Sequence, residues 1–199
     1  MRVMVIGATG TIGSAVADAL GGHEVIRVGS SSGDVRADIS RPESIRELFA
    51  GIGQVDAVVS CAGSARFRPL AELEDEDFEF SLANKLMGQV NLVRLGMEHV
   101  RDGGSITLTS GVLSQVPIPG SAAISLVNAG VEAFARAAAL EAPRGIRVNT
   151  VSPPWVSETL QAMGQDPSGG MPAAVVARAY VDAVTGTHNG KVLDARTYA

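Results

Sequence analysis

The 199-residue sequence contains a single cysteine, Cys61, only two lysines and only eight aromatic residues. One cysteine excludes a disulfide framework and a cysteine-based zinc site. With an aromatic share of 4%, the core must be built from Val, Ile, Leu and Ala, which suits helices packed tightly on a buried sheet. The apolar share of 46% is too high for a disordered chain, and no glycine or heptad period indicates a fibre.

Positive charge is also scarce, with 16 basic against 21 acidic residues and a net charge of −5. A nucleic-acid binder normally presents a basic stripe, whereas the arginines here are scattered, so we expect no nucleic-acid partner. The most apolar long stretch, residues 121–140, contains Glu132 and Arg136 and makes a poor membrane span. Asp18 interrupts the apolar N-terminal stretch, so we predict no signal peptide and expect a cytoplasmic protein.

Short β-branched runs alternate with helical patterns, which is typical of a parallel sheet covered by helices on both faces. We predict strands at residues 3–6, 24–28, 35–38, 55–60, 105–110, 146–151 and 191–194. We predict helices ending at residue 20 and covering residues 42–50, 75–100, 121–142 and 172–184. The only predicted irregular segment is 157–170. The sequence therefore predicts one α/β domain, residues 1–199, with a mostly parallel sheet of six or seven strands.

The connection between the second and third predicted strands is unusually short. Parallel neighbours need a crossover of about a dozen residues or more, but only residues 29–34 separate these two strands. A crossover helix cannot fit there. We therefore expect a rudimentary third strand or a reorganised sheet edge.

The turn after the first strand has glycines at a spacing typical of phosphate binding, Gly-Ala-Thr-Gly-Thr-Ile-Gly at residues 7–13. Gly7 permits a tight turn, Gly10 lets backbone amides approach a pyrophosphate, and Gly13 lets the helix pack closely on the strand. The simpler interpretation is an incidental glycine turn. We predict these cofactor-binding residues in the turn: Gly7, Thr9, Gly10, Thr11, Ile12 and Gly13.

The end of the second strand bears on the choice between NAD and NADP. An acidic residue there would bind the ribose hydroxyls of NAD and repel the extra phosphate of NADP. The strand instead runs into three serines, so we predict that Ser30 and Ser31 help to bind a 2′-phosphate, with Arg27 or Arg36 nearby. A plain serine turn is the alternative. The sequence favours NADP over NAD.

Six segments in the same order resemble the short-chain dehydrogenase/reductase family, and the resemblance runs along nearly the whole chain. One is the glycine turn, in which Thr11 replaces the middle glycine of the family's common form. Others are Asp38-Ile39, similar to an adenine-contacting pair, and residues 60–63, which resemble the family's Asn-Asn-Ala-Gly segment. Residues 147–153 are similar to the run that closes over the nicotinamide, although Pro154 follows where glycine is usual. The resemblance adds these cofactor-binding residues: Asp38, Ile39, Cys61, Ala62, Gly63 and Pro153.

The same resemblance assigns candidate catalytic positions. Ser110 matches the family's catalytic serine, and Asn84, with Gly88 after it, matches its structural asparagine. The family's catalytic tyrosine and the lysine four residues later are replaced in this alignment by Ile124 and Asn128. The resemblance further implies a Rossmann-like, doubly wound fold, a nicotinamide dinucleotide cofactor, and a homodimer or homotetramer paired through the two long helices.

No register shift restores the missing dyad, because Tyr180 and Tyr198 are the only tyrosines and neither has a lysine four residues on. Lys85 lies about 100° around the helix from Asn84, so we interpret it as a solvated lysine. Tyr180 is interpreted as a packing residue, and Cys61 as a small core residue. The three histidines have no spacing that indicates a metal site. Asn128 is retained as a ribose-binding candidate.

Two functions are compatible with this pattern. The first is an NADP(H)-dependent oxidoreductase acting on a small carbonyl or alcohol, with a degenerate active site in which Ser110 and Asn84 hold a water as proton donor. The second is a non-catalytic dinucleotide binder, either a cofactor sensor or a scaffold. The short segment between Pro154 and Pro172 argues against a tight, dedicated substrate site.

Overall fold

Seven parallel strands form one sheet in the computed structural model, which describes residues 1–199. The strand bounds are β1 Arg2–Ile6, β2 Glu24–Gly29, β3 Val35–Arg36, β4 Val55–Ser60, β5 Val100–Thr109, β6 Arg147–Ser152 and β7 Val192–Asp194. The strand order is β3-β2-β1-β4-β5-β6-β7. The order reverses between β1 and β4, as expected for a doubly wound fold.

Helices cover both faces of the sheet and enclose two apolar cores. The helix bounds are α1 Thr11–Ala19, α2 Pro42–Ile52, α3 Asp75–Ser81, α4 Gly88–Gly96, α5 Ala122–Glu141, α6 Ser157–Ala162 and α7 Ala173–Thr185. One core lies under α2, α4 and α5, and the other under α1 and α7, and both are made almost wholly of aliphatic side chains. The seven-stranded parallel sheet between two layers of helices confirms the predicted α/β, Rossmann-like fold with six or seven strands.

The third strand is rudimentary, as predicted, with only two residues paired to β2. The chain turns back through a tight loop in which Asp34 N donates to Arg27 O at 2.8 Å and Ala37 N donates to Gly29 O at 3.0 Å. Gly33 has a φ of +115°, a conformation that favours glycine. A loop with internal hydrogen bonds thus replaces the crossover helix.

The predicted single helix over residues 75–100 is wrong in its interior. The structure divides it into α3, a π-helical turn at Leu82–Met87, α4, and a final 3₁₀ turn at Met97–His99. A π turn has a wider hydrogen-bond spacing than an α-helix, and so rotates the register of the residues inside it. The inserted turn lies at the edge of the sheet that carries the candidate site.

Residues 157–170 are also more regular than predicted. They contain α6 and a short 3₁₀ turn at Pro167–Gly169. The carboxylate of Glu158 accepts hydrogen bonds from Ala173 N at 3.1 and 3.0 Å, which connects α6 to the start of α7. This contact links residues far apart in the sequence, which explains why local composition predicted an irregular segment.

By length and composition α5 is the one helix that could cross a membrane. In the structure it packs against β6 and the core, with Val127, Val131 and Ala135 buried. Packing on the sheet therefore accounts for the apolar side of this helix.

Candidate functional site

Two cavities lie at the carboxyl edge of the sheet, where ligands bind in doubly wound folds. The first, here called the glycine groove, has a volume of about 350 Å³ and is lined by residues from the ends of β1, β2 and β4. The second, here called the apolar pocket, has a volume of about 180 Å³ and is lined by residues following β5 and β6 and by α5. Ile12 of α1 lines the pocket and Gly10 lines the groove, so the first turn of α1 borders both cavities.

The glycines of the turn fit their predicted roles. Gly7 has a φ of +81°, and a Cβ there would lie 2.9 Å from Ala62 N. A Cβ on Gly13 would overlap the carbonyl oxygen of Gly7, because helix α1 packs directly on the turn. Gly10 has no neighbour closer than 3.5 Å to such a Cβ, which leaves its side of the turn open.

The N-terminus of α1 is free to bind an anion. Gly10 is its N-cap and supplies no side-chain hydrogen bond, and the first turn contains no acidic residue. Backbone N–H groups at such an end are unpaired and lie at the positive end of the helix dipole. The open cradle and the uncapped helix together fit a pyrophosphate.

The remaining predicted groove residues are mostly brought together. Ser30 is exposed on the groove wall, while Ser31 and Thr11 line neither cavity. Arg27 donates to Asp18 at 2.8 Å and does not line the groove. Six other predicted residues line the groove: Asp38, Ile39, Cys61, Ala62, Gly63 and Asn84.

Two polar side chains of the groove are already partly engaged. Asp38 Oδ1 accepts from the backbone N–H and the hydroxyl of Ser40, at 2.9 and 2.7 Å. Asn84 Oδ1 accepts from Ser64 N at 3.4 Å. Because Asn84 lines the groove and Ser110 lines the pocket, the structure places them in different cavities, which does not support the predicted water shared between them.

The apolar pocket brings together the positions that the sequence aligned with the family's catalytic centre. Ser110, Ile124 and Asn128 all line it, beside Pro153. Sequence reasoning missed Trp155 and Thr159, because they lie in the segment predicted to be short and generic. The other lining residues are Ile12, Gly111, Val112, Leu113, Pro154 and Val156.

Asn128 has an unpaired polar atom in this pocket. The residue is buried, and its Oδ1 has no hydrogen-bond partner. Its Nδ2 packs against Gly111, where a Cβ would come within 2.9 Å. A buried amide oxygen without a partner is costly unless a ligand supplies a donor. The residue therefore fits the ribose hydroxyl contact predicted for it.

Ser110 is bonded to a carboxylate that the sequence did not indicate. Its Oγ donates to Glu132 Oε1 at 2.9 Å, and Ser114 Oγ donates to the same oxygen at 2.6 Å. Glu132 is buried on α5, four residues after Asn128, so both side chains lie on one helix face. That spacing was the available signal, and only the fold shows which serines it reaches.

The prediction that Lys85 is a solvated lysine is wrong. It lies in the π-helical turn, is 8% exposed, and its Nζ donates to the carbonyl oxygen of Ser110 at 3.4 Å. Asn84 lines the groove, whereas Lys85, about 100° further around the helix, points inward and not to the solvent. Burial lowers the pKa of Lys85 from 10.5 to about 8.

Cys61, half-buried on the groove wall, lies beside this lysine, and Tyr180 lies next to Cys61 in the core. Tyr180 is fully buried and its hydroxyl lies 2.6 Å from Thr109 Oγ1, which itself donates to Ser60 O. Burial raises the pKa of Tyr180 well above 10 and the pKa of the Cys61 thiol to about 12. Neither group lines the apolar pocket. The predicted packing role of Tyr180 agrees with this position.

The family profile described as enoyl-(acyl carrier protein) reductase matches residues 9–189 of the chain. The match includes residues 9–13 of the glycine turn, all seven α-helices, and every lining residue of the two cavities except Ile6 and Gly7. The chain belongs to the short-chain dehydrogenase/reductase family. Membership agrees with the resemblance that the sequence motifs indicated.

Individual members of the family match to different extents. A hydroxynaphthalene reductase-like protein, Arp2, from Metarhizium brunneum is 32% identical over 136 residues, 65% of this chain and 51% of the fungal protein. The chain thus spans about half the length of such fungal relatives. An uncharacterized oxidoreductase from Methylorubrum extorquens is 29% identical over 178 residues, which cover 77% of this chain and 72% of the Methylorubrum protein.

Solved structures of similar size match almost end to end. The protein lin1944 from Listeria innocua superposes with a TM-score of 0.94 at 44% identity, covering 98% of both chains. A small-chain dehydrogenase in complex with NADPH superposes with a TM-score of 0.84 at 28% identity, covering 96% of this chain and 94% of that one. The short form of the family fold is therefore shared with solved proteins.

Proposed function

We propose that this short-chain dehydrogenase/reductase is an NADP(H)-dependent oxidoreductase that interconverts a small apolar carbonyl compound and its alcohol. The observation that carries the proposal is the adjacency of the two cavities. A phosphate cradle and an apolar pocket meet at the first turn of α1, so one ligand can extend from the groove into the pocket. The NADPH complex of a structural relative supports the same assignment.

The groove residues supply binding and orientation. The open side of the turn at Gly10 and the free amides of α1 would hold the pyrophosphate. Asn128 would accept a hydrogen bond from a ribose hydroxyl through its unpaired Oδ1. When bound, the reduced nicotinamide supplies a hydride, and the protein's task is to position the substrate carbonyl next to it.

The preference for NADP over NAD rests on the wall at the end of β2. Ser30 lines the groove there, and no acidic side chain of the following loop does. Asp34, the nearest acid in that loop, accepts from Arg27 N at 2.9 Å on the other side of the turn. A 2′-phosphate at this wall would therefore meet the hydroxyl of Ser30, while the one carboxylate that lines the groove, that of Asp38, follows β3 and accepts from Ser40.

The pocket favours a compact apolar substrate. Its volume of about 180 Å³ is close to that of a cavity of roughly 150 Å³ that holds a benzene molecule. Ile124, Pro154 and Trp155 are among its lining residues, and Ser110, Asn128 and Thr159 are its polar side chains. A single ring with a short carbonyl substituent matches this size and polarity.

Cofactor binding is tested first, by thermal shift and by fluorescence titration with NADPH and NADH. We expect stabilisation by both cofactors and tighter binding of NADPH. Asn128→Leu should weaken NADPH binding about tenfold, because one hydrogen bond to a buried group is lost. If millimolar concentrations of either cofactor leave the melting temperature unchanged, the proposal is wrong.

Turnover is tested next, by following NADPH oxidation with single-ring aldehydes, ketones, diketones and quinones. A second function, a non-catalytic dinucleotide binder, is supported by one observation: the hydroxyl proton of Ser110 is directed to Glu132 and away from the pocket. Binding of NADPH without oxidation of any compound would favour that second function. Turnover that is lost in Ser110→Ala would favour the enzyme.

We also propose a homodimer or homotetramer that pairs through the two long helical segments. α5 exposes Leu126 and Leu140, and the segment before α4 exposes Leu82 and Met87. Apolar side chains exposed along neighbouring helices are typical of an interface between subunits. Light scattering after size exclusion should give at least twice the mass of one chain, and Leu126→Glu should lower it.

A further inference from the structure

Lys85 is a buried cation without a counter-ion. No Asp or Glu oxygen lies within 4.0 Å of its Nζ, and its one hydrogen bond, to Ser110 O, is long at 3.4 Å. An ammonium group has three donors, so two of them lack a protein partner. Burying a charge in this way is costly and is found where the charge has a function.

The position of the ammonium is between the two cavities. Its aliphatic stem packs on Gly63 of the groove wall, where a Cβ would lie 3.2 Å from Lys85 Cδ. Its Nζ contacts Ser110, a residue of the apolar pocket. Lys85 itself lines neither cavity, so a bound water would have to carry its proton to a ligand that extends from the groove into the pocket.

Few titratable groups surround the amine. The thiol of Cys61 follows β4, the hydroxyl of Tyr180 faces that thiol from α7, and the carboxylate of Glu132 lies beyond Ser110 on α5. Cys61 is the one group whose charge affects Lys85, and its own raised pKa keeps it a neutral thiol near pH 7. Burial therefore dominates the behaviour of Lys85.

We propose that the ammonium of Lys85 donates the proton to the substrate oxygen during carbonyl reduction, through one bridging water. The proposal rests on the oxidoreductase function proposed above. The carbonyl carbon accepts a hydride from the reduced nicotinamide, which is oxidised, while the π electrons of the carbonyl move to its oxygen. That oxygen takes a proton from the bridging water, which takes one from Nζ. The product is an alcohol, and solvent returns a proton to the neutral amine.

The polar groups that line the pocket, and the buried Tyr180, are less suited to this role. The hydroxyl proton of Ser110 is donated to Glu132, and Asn128 and Thr159 do not release protons near neutral pH. Tyr180 donates to Thr109 inside the core. A lysine that titrates near pH 8 is charged at pH 7 and still gives up its proton readily, which suits a general acid.

The first experiment does not depend on turnover. The chain has two lysines, Lys85 and the exposed Lys191, so lysine labelled with ¹³C at Cε gives two NMR signals. We expect the Lys85 signal, assigned with Lys85→Met, to titrate at least one pH unit below the Lys191 signal. NADPH should shift the Lys85 signal alone. Two lysines titrating together, or no response to bound NADPH, would overturn the proposal.

The second experiment uses NADPH and 1-phenyl-1,2-propanedione, a single-ring diketone, as the probe. General acids contribute about 10²-fold or more, so we expect kcat to fall at least about 100-fold in Lys85→Met with NADPH affinity within threefold. Lys85→Arg should lose as much activity, because a guanidinium keeps its charge but does not release a proton. Lys191→Met is the control and should match the wild type.

The outcomes separate the two proposals. If NADPH does not bind to the wild type, or binds and no carbonyl compound is reduced, the proposed oxidoreductase function is wrong. If the wild type reduces the probe and Lys85→Met retains its kcat, the role of Lys85 is wrong while the function stands. If Lys85→Met loses NADPH affinity but keeps its kcat, Lys85 is a cofactor-binding residue and not the acid.

The pH profile is a further test of the same role. In the wild type kcat/KM for reduction should fall above about pH 8. The residual activity of Lys85→Arg should not show this decrease.

Discussion

The hydroxyl of Ser110 donates its proton to the carboxylate of Glu132 across an Oγ–Oε1 distance of 2.9 Å. The same carboxylate oxygen accepts from Ser114 Oγ at 2.6 Å. Ser110 follows β5 and Glu132 lies in the middle of α5, so the pair joins the end of the sheet to the helix that forms one pocket wall. With its proton engaged, Ser110 presents oxygen lone pairs to the pocket and can accept a hydrogen bond from a ligand or a protonated donor.

Removing this acceptor should destabilise the fold. Glu132→Ala leaves the half-buried hydroxyl of Ser114 without a partner and the buried hydroxyl of Ser110 with only a long contact of 3.4 Å to Val151 O. We expect the free energy of unfolding to fall by about 3 kcal/mol in urea titrations. Glu132→Gln keeps an acceptor oxygen and should lose only about 1 kcal/mol. Glu141→Ala, at the exposed end of the same helix, is the control. If Glu132→Ala and Glu141→Ala lower the free energy of unfolding equally, the hydrogen bonds to Glu132 do not stabilise the fold.

A methyl group in the glycine turn should have a large effect. In Gly13→Ala the new Cβ would overlap Gly7 O, so the helix must move off the turn. We expect a loss of roughly 3 kcal/mol in unfolding free energy and loss of NADPH binding. Gly51→Ala, in helix α2 with no atom within 4 Å of the new Cβ, should stabilise the protein by about 0.5 kcal/mol. Calorimetry and NADPH titration of both variants test this, and a Gly13→Ala protein that binds NADPH normally would contradict it.

Cofactor choice should depend on the charge at Ser30. Ser30→Asp places a carboxylate on the groove wall next to the proposed 2′-phosphate, and like charges repel. We expect NADPH affinity to fall at least about tenfold and NADH affinity to stay the same or improve. Ser31→Asp is a matched control, because Ser31 is exposed but does not line the groove. Fluorescence titrations in which both variants lose NADPH equally would indicate only a long-range charge effect.

The buried Lys85 makes the stability of the fold depend on pH. Its pKa is lowered from 10.5 to about 8, so the folded protein holds this proton less tightly than the unfolded chain. Below pH 8 both states are protonated and the folded state carries the full cost of burying the charge. Between pH 8 and 10.5 the unfolded state binds more protons, and stability therefore rises with pH through this window.

Lys85→Met should remove that cost. A pKa shift of this size corresponds to about 3 kcal/mol, so we expect the variant to be more stable than the wild type by up to about that amount at pH 7. The difference should shrink from pH 8 to 10.5. Urea unfolding of wild type, Lys85→Met and Lys191→Met at several pH values measures it. A difference that is constant across the window would mean that Lys85 is not perturbed.

The chain's local patterns were sufficient for the architecture. β-branched runs and helical spacing placed all seven strands and the helices flanking them, because each buried strand and each amphipathic helix has its signal within a few residues. The glycine turn could also be predicted from the sequence, because it needs backbone conformations that only glycine adopts easily. The secondary-structure prediction was wrong for residues 75–100, where the helix is interrupted, and for residues 157–170. There the local structure depends on contacts with distant segments, such as Glu158 with Ala173.

The candidate site was likewise predicted from the sequence only in part. Sequence order placed Ser110, Ile124 and Asn128 at positions that the fold brings into one pocket. It gave no sign of the bond from Ser110 to Glu132, and it predicted the opposite environment for Lys85. An angle of about 100° from Asn84 does not determine what surrounds Lys85, and in the structure this residue of the π turn is buried.

By itself the sequence determined a parallel, doubly wound sheet with an aliphatic core, a glycine cradle, and a chain with two lysines and no tyrosine followed by a lysine four residues later. The tertiary structure decided where the remaining titratable groups lie. A pKa and a hydrogen-bond partner are properties of the surroundings, and those surroundings come from segments far apart in the chain. Lys85 and Ser110 are 25 residues apart, and only the folded sheet edge brings them into contact.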